Sequence, residues 1–154
     1  MRVTMLLCEA AQLAEGKLYI LGAAWSMTGP DPAPSAIAFV LDLEWTELDY
    51  PHHWELFLVD QDGQEIVLET PDGPQPVETR GDFEIGRPPG VPEGIPISVP
   101  FVVNLPPLPL QPDGRFTWKL SIDGQNRTEW QCSFSTRPPV PPAPEGVEDG
   151  PALL

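Results

Sequence analysis

The clearest alternation of apolar and polar residues in the chain runs from residue 112 to residue 134. On each side of a central turn, every second residue is apolar. Phe116, Trp118, Leu120 and Ile122 precede the turn, and Trp130, Cys132 and Phe134 follow it. A period of two is typical of half-buried antiparallel strands, because successive side chains point to opposite faces of a sheet. The pattern therefore predicts a β-hairpin that turns near Asp123 and Gly124.

The register of this hairpin has to keep the apolar residues of both strands on the same face of the sheet. A three-residue loop, residues 123–125, pairs Trp118 with Trp130. It also sets Lys119 opposite Glu129 on the solvent face, and it is the register that we favour. A five-residue loop and a two-residue turn followed by a β-bulge satisfy the same parity.

Shorter alternating or apolar runs predict further strands, with glycine-rich and proline-rich turns between them. These runs are residues 2–8, 17–21, 35–45, 54–58, 65–68, 77–85 and 97–103. With the hairpin they amount to about eight strands, which favours an all-β fold.

Three segments allow finer predictions. Residues 2–8 are apolar on both faces, which favours a central position in a sheet. Pro96 and Pro100 have the same parity, so their missing N–H groups face one side, and the strand 97–103 is expected at an edge. Residues 10–15 are the only helix-like local sequence, and one helical turn is expected there.

Composition narrows the fold class further. The 154 residues include 22 prolines and 13 glycines, which disfavours long helices. We expect one antiparallel two-sheet β-sandwich, immunoglobulin-like or C2-like, over residues 1–137, because two facing sheets bury large aromatic side chains between them. Four tryptophans have the parity expected of such a core: Trp45, Trp54, Trp118 and Trp130. The proline-rich segment 138–154 lacks any apolar pattern and is expected to be a disordered tail.

Charge restricts the partners. The formal net charge is −15, with 8 Lys and Arg against 23 Asp and Glu. Nucleic acids and anionic membranes attract cationic surfaces, so neither is expected to bind. No apolar run has the length of a signal peptide or a membrane span, so a cytoplasmic location is expected, with Cys8 and Cys132 reduced.

Candidate chemistry is sparse. His52 and His53 are the only side chains whose unperturbed pKa lies near neutrality, and they adjoin Asp49, Tyr50 and Glu55. Consecutive residues of a strand point in opposite directions, so the two histidines are not expected to reach one ion. We therefore assign no catalytic, cofactor-binding or metal-binding residue and expect no enzymatic activity.

The segment Asp60-Gln61-Asp62-Gly63 begins like a calcium-binding loop. The later oxygen ligands of an EF-hand are absent from the sequence that follows it. A hairpin turn is the better explanation.

Three segments resemble a family of short, uncharacterised proteins that are common in actinobacteria: residues 14–22, residues 86–92 and residues 112–118, followed by Ile122-Asp123-Gly124. The resemblance spans about residues 1–137. It implies a bacterial, cytoplasmic β-domain and transfers no catalytic residue, because no activity is assigned to the family.

The function expected from these observations is that of a non-enzymatic protein-interaction module or small structural subunit without a cofactor. Its contact with a protein partner, or with a second copy of itself, would use an edge strand, a proline-rich arm or an acidic face. The alternative is a ligand-binding sandwich that holds a divalent cation or a carbohydrate in its end loops.

Overall fold

A computed structural model describes residues 1–29 and 31–144. The described residues form twelve β-strands and one 3₁₀ turn, Trp45–Glu47, and contain no α-helix. The strands are β1 Arg2–Cys8, β2 Ala10–Ala14, β3 Lys17–Leu21, β4 Met27–Thr28, β5 Ser35–Leu43, β6 His52–Asp60, β7 Val67–Thr70, β8 Gly73–Pro76, β9 Glu78–Phe83, β10 Ile97–Leu105, β11 Arg115–Ile122 and β12 Gln125–Thr136. The predicted all-β class is thereby confirmed.

Two larger sheets make up most of the fold. One has the strand order β1-β5-β10, and the other has the order β4-β12-β11-β6-β9. All neighbours are antiparallel except β4 and β12, which pair in parallel. Two small hairpins, β2-β3 and β7-β8, complete the described strands.

The two larger sheets contribute to one hydrophobic core. Alternate residues of β5 and β11, such as Phe39 and Trp118, are buried in the same cluster of side chains. Phe39 stacks on Phe101 of the neighbouring β10, with ring centroids 4.4 Å apart. The four tryptophans predicted for the core all contact it; Trp118 and Trp130 are buried, whereas Trp45 and Trp54 are partly exposed.

The β2-β3 hairpin covers the other face of the three-stranded sheet. Ala11, Leu18 and Ile20 pack there against Cys8 and the buried alanines of β5. The predicted helical turn at residues 10–15 is therefore wrong. Cross-strand pairing with β3 and the burial of Ala11 outweigh the weak helical preference of this short segment.

The same hairpin explains a second correction, because β1 pairs only with β5 and lies at an edge rather than in the centre. The second face of β1 is apolar because the β2-β3 hairpin covers it, as at Cys8. The described strands do not flank β1 on both sides. The prediction for the proline-containing strand is confirmed, since β10 pairs only with β5.

The β11-β12 hairpin forms where it was predicted, but in the third of the three registers considered. Ile122 pairs with Gln125 across a two-residue turn, so the favoured three-residue loop is wrong. Farther along, Lys119 pairs with Gln131 and Trp118 with Cys132. Residues 127–130 therefore bulge opposite Leu120, and this bulge restores the apolar parity that the short turn breaks.

The remaining predicted strands are confirmed with shifted ends. The third predicted strand, residues 35–45, ends at Leu43, and Trp45 begins the 3₁₀ turn. The predicted strand 65–68 is β7, which begins at Val67 and extends to Thr70. Residues 138–144 have no regular secondary structure, and the rest of the predicted tail, residues 145–154, lies outside the described residues. No described helix is both long and apolar enough to span a membrane.

Candidate functional site

His52, the first residue of β6, is almost completely buried at one end of the five-stranded sheet. Its Nδ1 lies 2.7 Å from Oδ2 of Asp123, and its Nε2 lies 2.7 Å from the carbonyl oxygen of Glu47. Its ring also stacks on Phe83, with centroids 5.1 Å apart. His52 thus connects the 3₁₀ turn, the edge strand β9 and the turn of the β11-β12 hairpin.

These contacts shift the pKa of His52. Both ring nitrogens face oxygen acceptors, an arrangement that favours the protonated ring, in which both nitrogens donate. Burial acts to lower the pKa of His52, but hydrogen bonds from the ring to Glu47 and Asp123 outweigh it and raise that pKa. The pKa of Asp123 is lowered, because hydrogen bonds from His52 and from the backbone N–H of His53 outweigh the opposing effect of desolvation.

His53 points to the opposite, solvent-facing side of β6. Its Nδ1 lies 2.7 Å from Oδ1 of Asp82 on β9, and its Nε2 lies 3.5 Å from Oε1 of Glu55. The hydrogen bond to Asp82, assisted by Glu55, raises the pKa of His53. The two imidazole rings thus lie on opposite faces of β6, as the strand geometry predicted.

The described residues contain no group of three or more His, Cys, Asp or Glu side chains that could hold a metal ion. In the Asp60-Gln61-Asp62-Gly63 segment, Oδ1 of Asp60 accepts hydrogen bonds from the backbone N–H groups of Asp62 and Gln64, at 2.8 and 2.9 Å. This carboxylate therefore closes the turn after β6.

Neither cysteine has the character of a nucleophile. Cys8 is fully buried, and burial raises the pKa of its thiol. Burial together with the charge of Cys8 raises the pKa of Cys132 to about 12. Since the thiolate is the reactive form, both thiols are inert near neutral pH.

A groove of about 580 Å³ lies at the other end of the sheets, where β5 begins and β10 and β12 end. Trp25, Trp118 and Phe134 line it, and Trp25 contacts Phe134 edge to face with centroids 5.4 Å apart. Prolines of two loops, one between β4 and β5 and the other between β10 and β11, form much of the remaining wall: Pro32, Pro34, Pro106 and Pro112. The groove is thus lined mainly by rigid, apolar groups.

Three charged residues lie at this groove. Glu9 packs against Gly22, whose positive φ and missing side chain leave room for the carboxylate. Asp31 stands on the loop before β5, and neither Asp31 nor Glu9 pairs with a cation within the described residues. Nη1 of Arg137 donates a hydrogen bond to the carbonyl oxygen of Gly29 at 2.9 Å, which ties the end of β12 to the groove.

Exposed apolar side chains concentrate in the first part of the chain, where Met27 also lines the groove. Nine large apolar side chains are exposed in the described part of the chain, and five of them lie between residues 6 and 27: Leu6, Leu13, Tyr19, Leu21 and Met27. Tyr19 and Leu21 are 55% and 70% exposed and lie on the outer face of the β2-β3 hairpin. We call this hairpin face together with the groove the apolar surface.

Local sequence signals did not reveal the apolar surface. Its groove is built from separate segments around residues 9, 25–35, 106–112, 118 and 134–137, which only the sheet topology brings together. The exposure of Tyr19 and Leu21 depends on which hairpin face packs inward, and β3 alternates too weakly in hydrophobicity to decide this. The histidine pair was found because of its residue type alone.

Comparison with known protein families gives a match over most of the chain. A family model described as a family of unknown function, DUF6941, matches residues 3–134. No curated protein and no solved structure matches the chain.

Proposed function

The chain belongs to DUF6941, a family of unknown function, and we propose from its own surface that it is a non-enzymatic protein-interaction module. The observation that carries this proposal is the exposure of Tyr19 and Leu21 on the outer face of the β2-β3 hairpin, where Leu21 adjoins Glu9 of the groove. Exposed apolar clusters of this kind mark interaction sites in soluble proteins. Tyrosine and other aromatic residues at their centres supply much of the binding free energy.

The charge of the chain defines the partner. The net charge is −15, and Glu9 and Asp31 lie at the groove. A docking segment with an apolar side chain flanked by lysine or arginine would complement this surface in both shape and charge. The apolar contact would provide most of the affinity, and the charges would speed association.

The state of the titratable groups supports a role without catalysis. His52 is held between two acceptors, His53 is paired with Asp82, and both thiols are protonated near neutral pH. None of them is placed to act as a general base in an open cavity.

Three finer features belong to the same proposal. The two larger sheets, which share one core, would form a β-sandwich of immunoglobulin-like or C2-like kind. The protein would work in the cytoplasm of actinobacteria. Pairing through the edge strand β10 is a weaker mode than docking on the apolar surface, since Pro100 has no N–H to offer a partner strand.

Partner capture with matched variants tests the proposal. Leu21→Asp places a charge on the apolar surface, and the control Val67→Asp places one on an exposed position of the β7-β8 hairpin. We expect the wild type and Val67→Asp to retain one specific protein from a cell extract and Leu21→Asp to lose it. Equal capture by all three would contradict the proposal. If the protein instead associates with itself and Leu21→Asp abolishes this association, the partner is a second copy of the chain.

The groove favours a second candidate, a carbohydrate ligand. Its volume of about 580 Å³ lies in the range of small-ligand pockets, and it combines Trp25 with the carboxylates of Glu9 and Asp31. A divalent cation has less support, since no three-residue ligand group occurs in the described segments. A glycan-array signal that Trp25→Ala removes and Leu21→Asp leaves intact would favour this candidate over the interaction module.

A further inference from the structure

A second cavity, of about 340 Å³, lies beside the bulge of β12 and is rich in hydrogen-bond donors. Lys119 of β11 lines it, as do four polar or charged residues of β12: Asn126, Arg127, Thr128 and Gln131. The bulge brings these β12 residues together with Lys119, because residues 127–130 all lie opposite Leu120. The cavity is separate from the groove and shares no lining residue with it.

Trp130 connects this cavity to the hydrophobic core. It lines the cavity and is buried in the core cluster. Its indole Nε1 has no acceptor among the described residues and almost no accessible surface, so this N–H is closed to a group in the cavity and serves only to report changes around the ring. Nε1 of Trp45 is also unpartnered, but Trp45 lines neither of the two cavities.

The two cations of the cavity are also available. The chain has only eight lysines and arginines, and Arg2, Arg80 and Arg87 form ion pairs with carboxylates. Lys119 and Arg127 form none within the described residues. The guanidinium of Arg127 lies over the ring of Trp130, 4.8 Å from its centroid, and donates one hydrogen bond, to the carbonyl oxygen of Met1 at 3.2 Å.

We infer that this cavity binds a carboxylate, held by Lys119 and Arg127. Glu65, which also lines the cavity, leaves one net positive charge, and this favours a monoanion over a multiply charged phosphate. The guanidinium of arginine matches the planar geometry of a carboxylate. The carboxylate belongs either to a small molecule or to the C-terminus of a peptide.

The test is an acetate titration of the full chain at constant ionic strength, monitored by the indole N–H signal of Trp130 in NMR spectra. We expect saturable binding with a Kd of about 1–10 mM, which is a weak affinity. Lys119→Gln and Arg127→Gln should each raise this Kd about tenfold, equivalent to about 1.4 kcal/mol. Arg115→Gln removes the same charge from an exposed position on β11 outside the cavity and should leave the Kd unchanged.

A second arm distinguishes the two sources. If the free C-terminal carboxylate of a short peptide binds more tightly than acetate and the peptide amide does not bind, the ligand is a chain end; if peptide and acetate bind equally, it is a small molecule. Glu65→Gln should tighten binding of either. A shift of the Trp130 signal that does not saturate, or equal weakening by Arg115→Gln, would overturn the inference.

Discussion

His52 shows how burial and hydrogen bonding together determine the charge of one side chain. An isolated buried histidine is normally neutral, because desolvation disfavours its charged form. Here the carboxylate of Asp123 and the carbonyl oxygen of Glu47 both face the ring as acceptors, so hydrogen bonding favours the charged form and raises the pKa of His52. The sequence identified His52 as titratable, but its partners come from segments 5 and 71 residues away and could not be predicted.

The pair should make stability depend on pH. The raised pKa of His52 means that its contribution is complete below the unfolded value, about 6.5, and is lost as the pH rises through the folded value. The lowered pKa of Asp123 means that its contribution is present above about 3.9 and is lost as the pH falls through its folded value. We therefore expect the pair to stabilise the fold most between about pH 4 and 6.5.

Urea unfolding across this range measures the effect. His52→Gln should flatten the loss of stability above about pH 6.5, because the neutral amide does not titrate. The control His53→Gln should change the profile less, since His53 is exposed and solvent screens its pairs. Identical profiles for the wild type and His52→Gln would show that His52 is not charged in the folded protein.

Trp118 and Thr117 test the assignment of faces on β11. Trp118 is buried against the core, whereas Thr117 lies on the other face, where its hydroxyl hydrogen-bonds Ser133 at 2.8 Å. Trp118→Ala should cost about 3–5 kcal/mol of unfolding free energy, because it leaves a cavity. Thr117→Ala should cost about 1 kcal/mol or less. Equal losses in a denaturant titration would refute the assignment.

At the scale of elements, periodicity predicted most strands, and tertiary contacts decided what periodicity left open. The side chains of β9 alternate between exposed and partly buried along the whole strand, as the alternating run 77–85 predicts, because one face of this strand packs against the core. The helical turn expected at residues 10–15 failed because no local signal reveals that β2 pairs with β3. The predicted central position of β1 was wrong for a related reason. The sequence pattern of a strand covered by a hairpin is the same as that of a strand with neighbours on both sides, because both arrangements bury both faces.

The turn of the β11-β12 hairpin shows why its register was misjudged. Asp123 and Gly124 both have positive φ, as a two-residue type I′ turn requires. The carboxylate of Asp123 binds His52 and the backbone N–H of His53, and these contacts fix the short turn. The parity argument was sound, but a bulge rather than a longer loop satisfies it.

Gly124→Ala should therefore destabilise the protein by about 1–2 kcal/mol, because an L-residue with a side chain resists the left-handed conformation. The matched control is Gly86→Ala, at a glycine without positive φ, where an added Cβ would meet only Oδ1 of Asp49 at 3.8 Å, an ordinary van der Waals distance. That substitution should be neutral or slightly stabilising. Similar thermal melts for both variants would contradict the type I′ assignment.

At the scale of the molecule, the two ends of the sheets differ in chemistry: hydrogen bonds of His52 close one end, and an apolar groove lies at the other. His52, Asp123 and the 3₁₀ turn close one end of the sheets, and the groove opens at the other. Composition predicted the acidity and the all-β class, because both are properties of the whole chain. It could not predict the apolar surface, which depends on how distant loops converge.

The tail provides a prediction for the whole molecule. Deleting residues 138–154 should leave the Tm and the oligomeric state unchanged, because residues 138–144 are exposed and form no regular structure. Differential scanning calorimetry and sedimentation measure both quantities. A drop of several degrees in Tm would place part of the tail in the folded domain.

Site-specific photo-crosslinking in living cells tests the proposed interaction module most directly. A photoreactive phenylalanine analogue replaces Tyr19 on the apolar surface or, as a control, Tyr50, an exposed tyrosine at the opposite end of the sheets. We predict one discrete protein adduct from position 19, lost when Leu21→Asp is added, and none from position 50. No adduct from position 19, or the same adducts from both positions, would contradict the proposal that the apolar surface binds a protein partner.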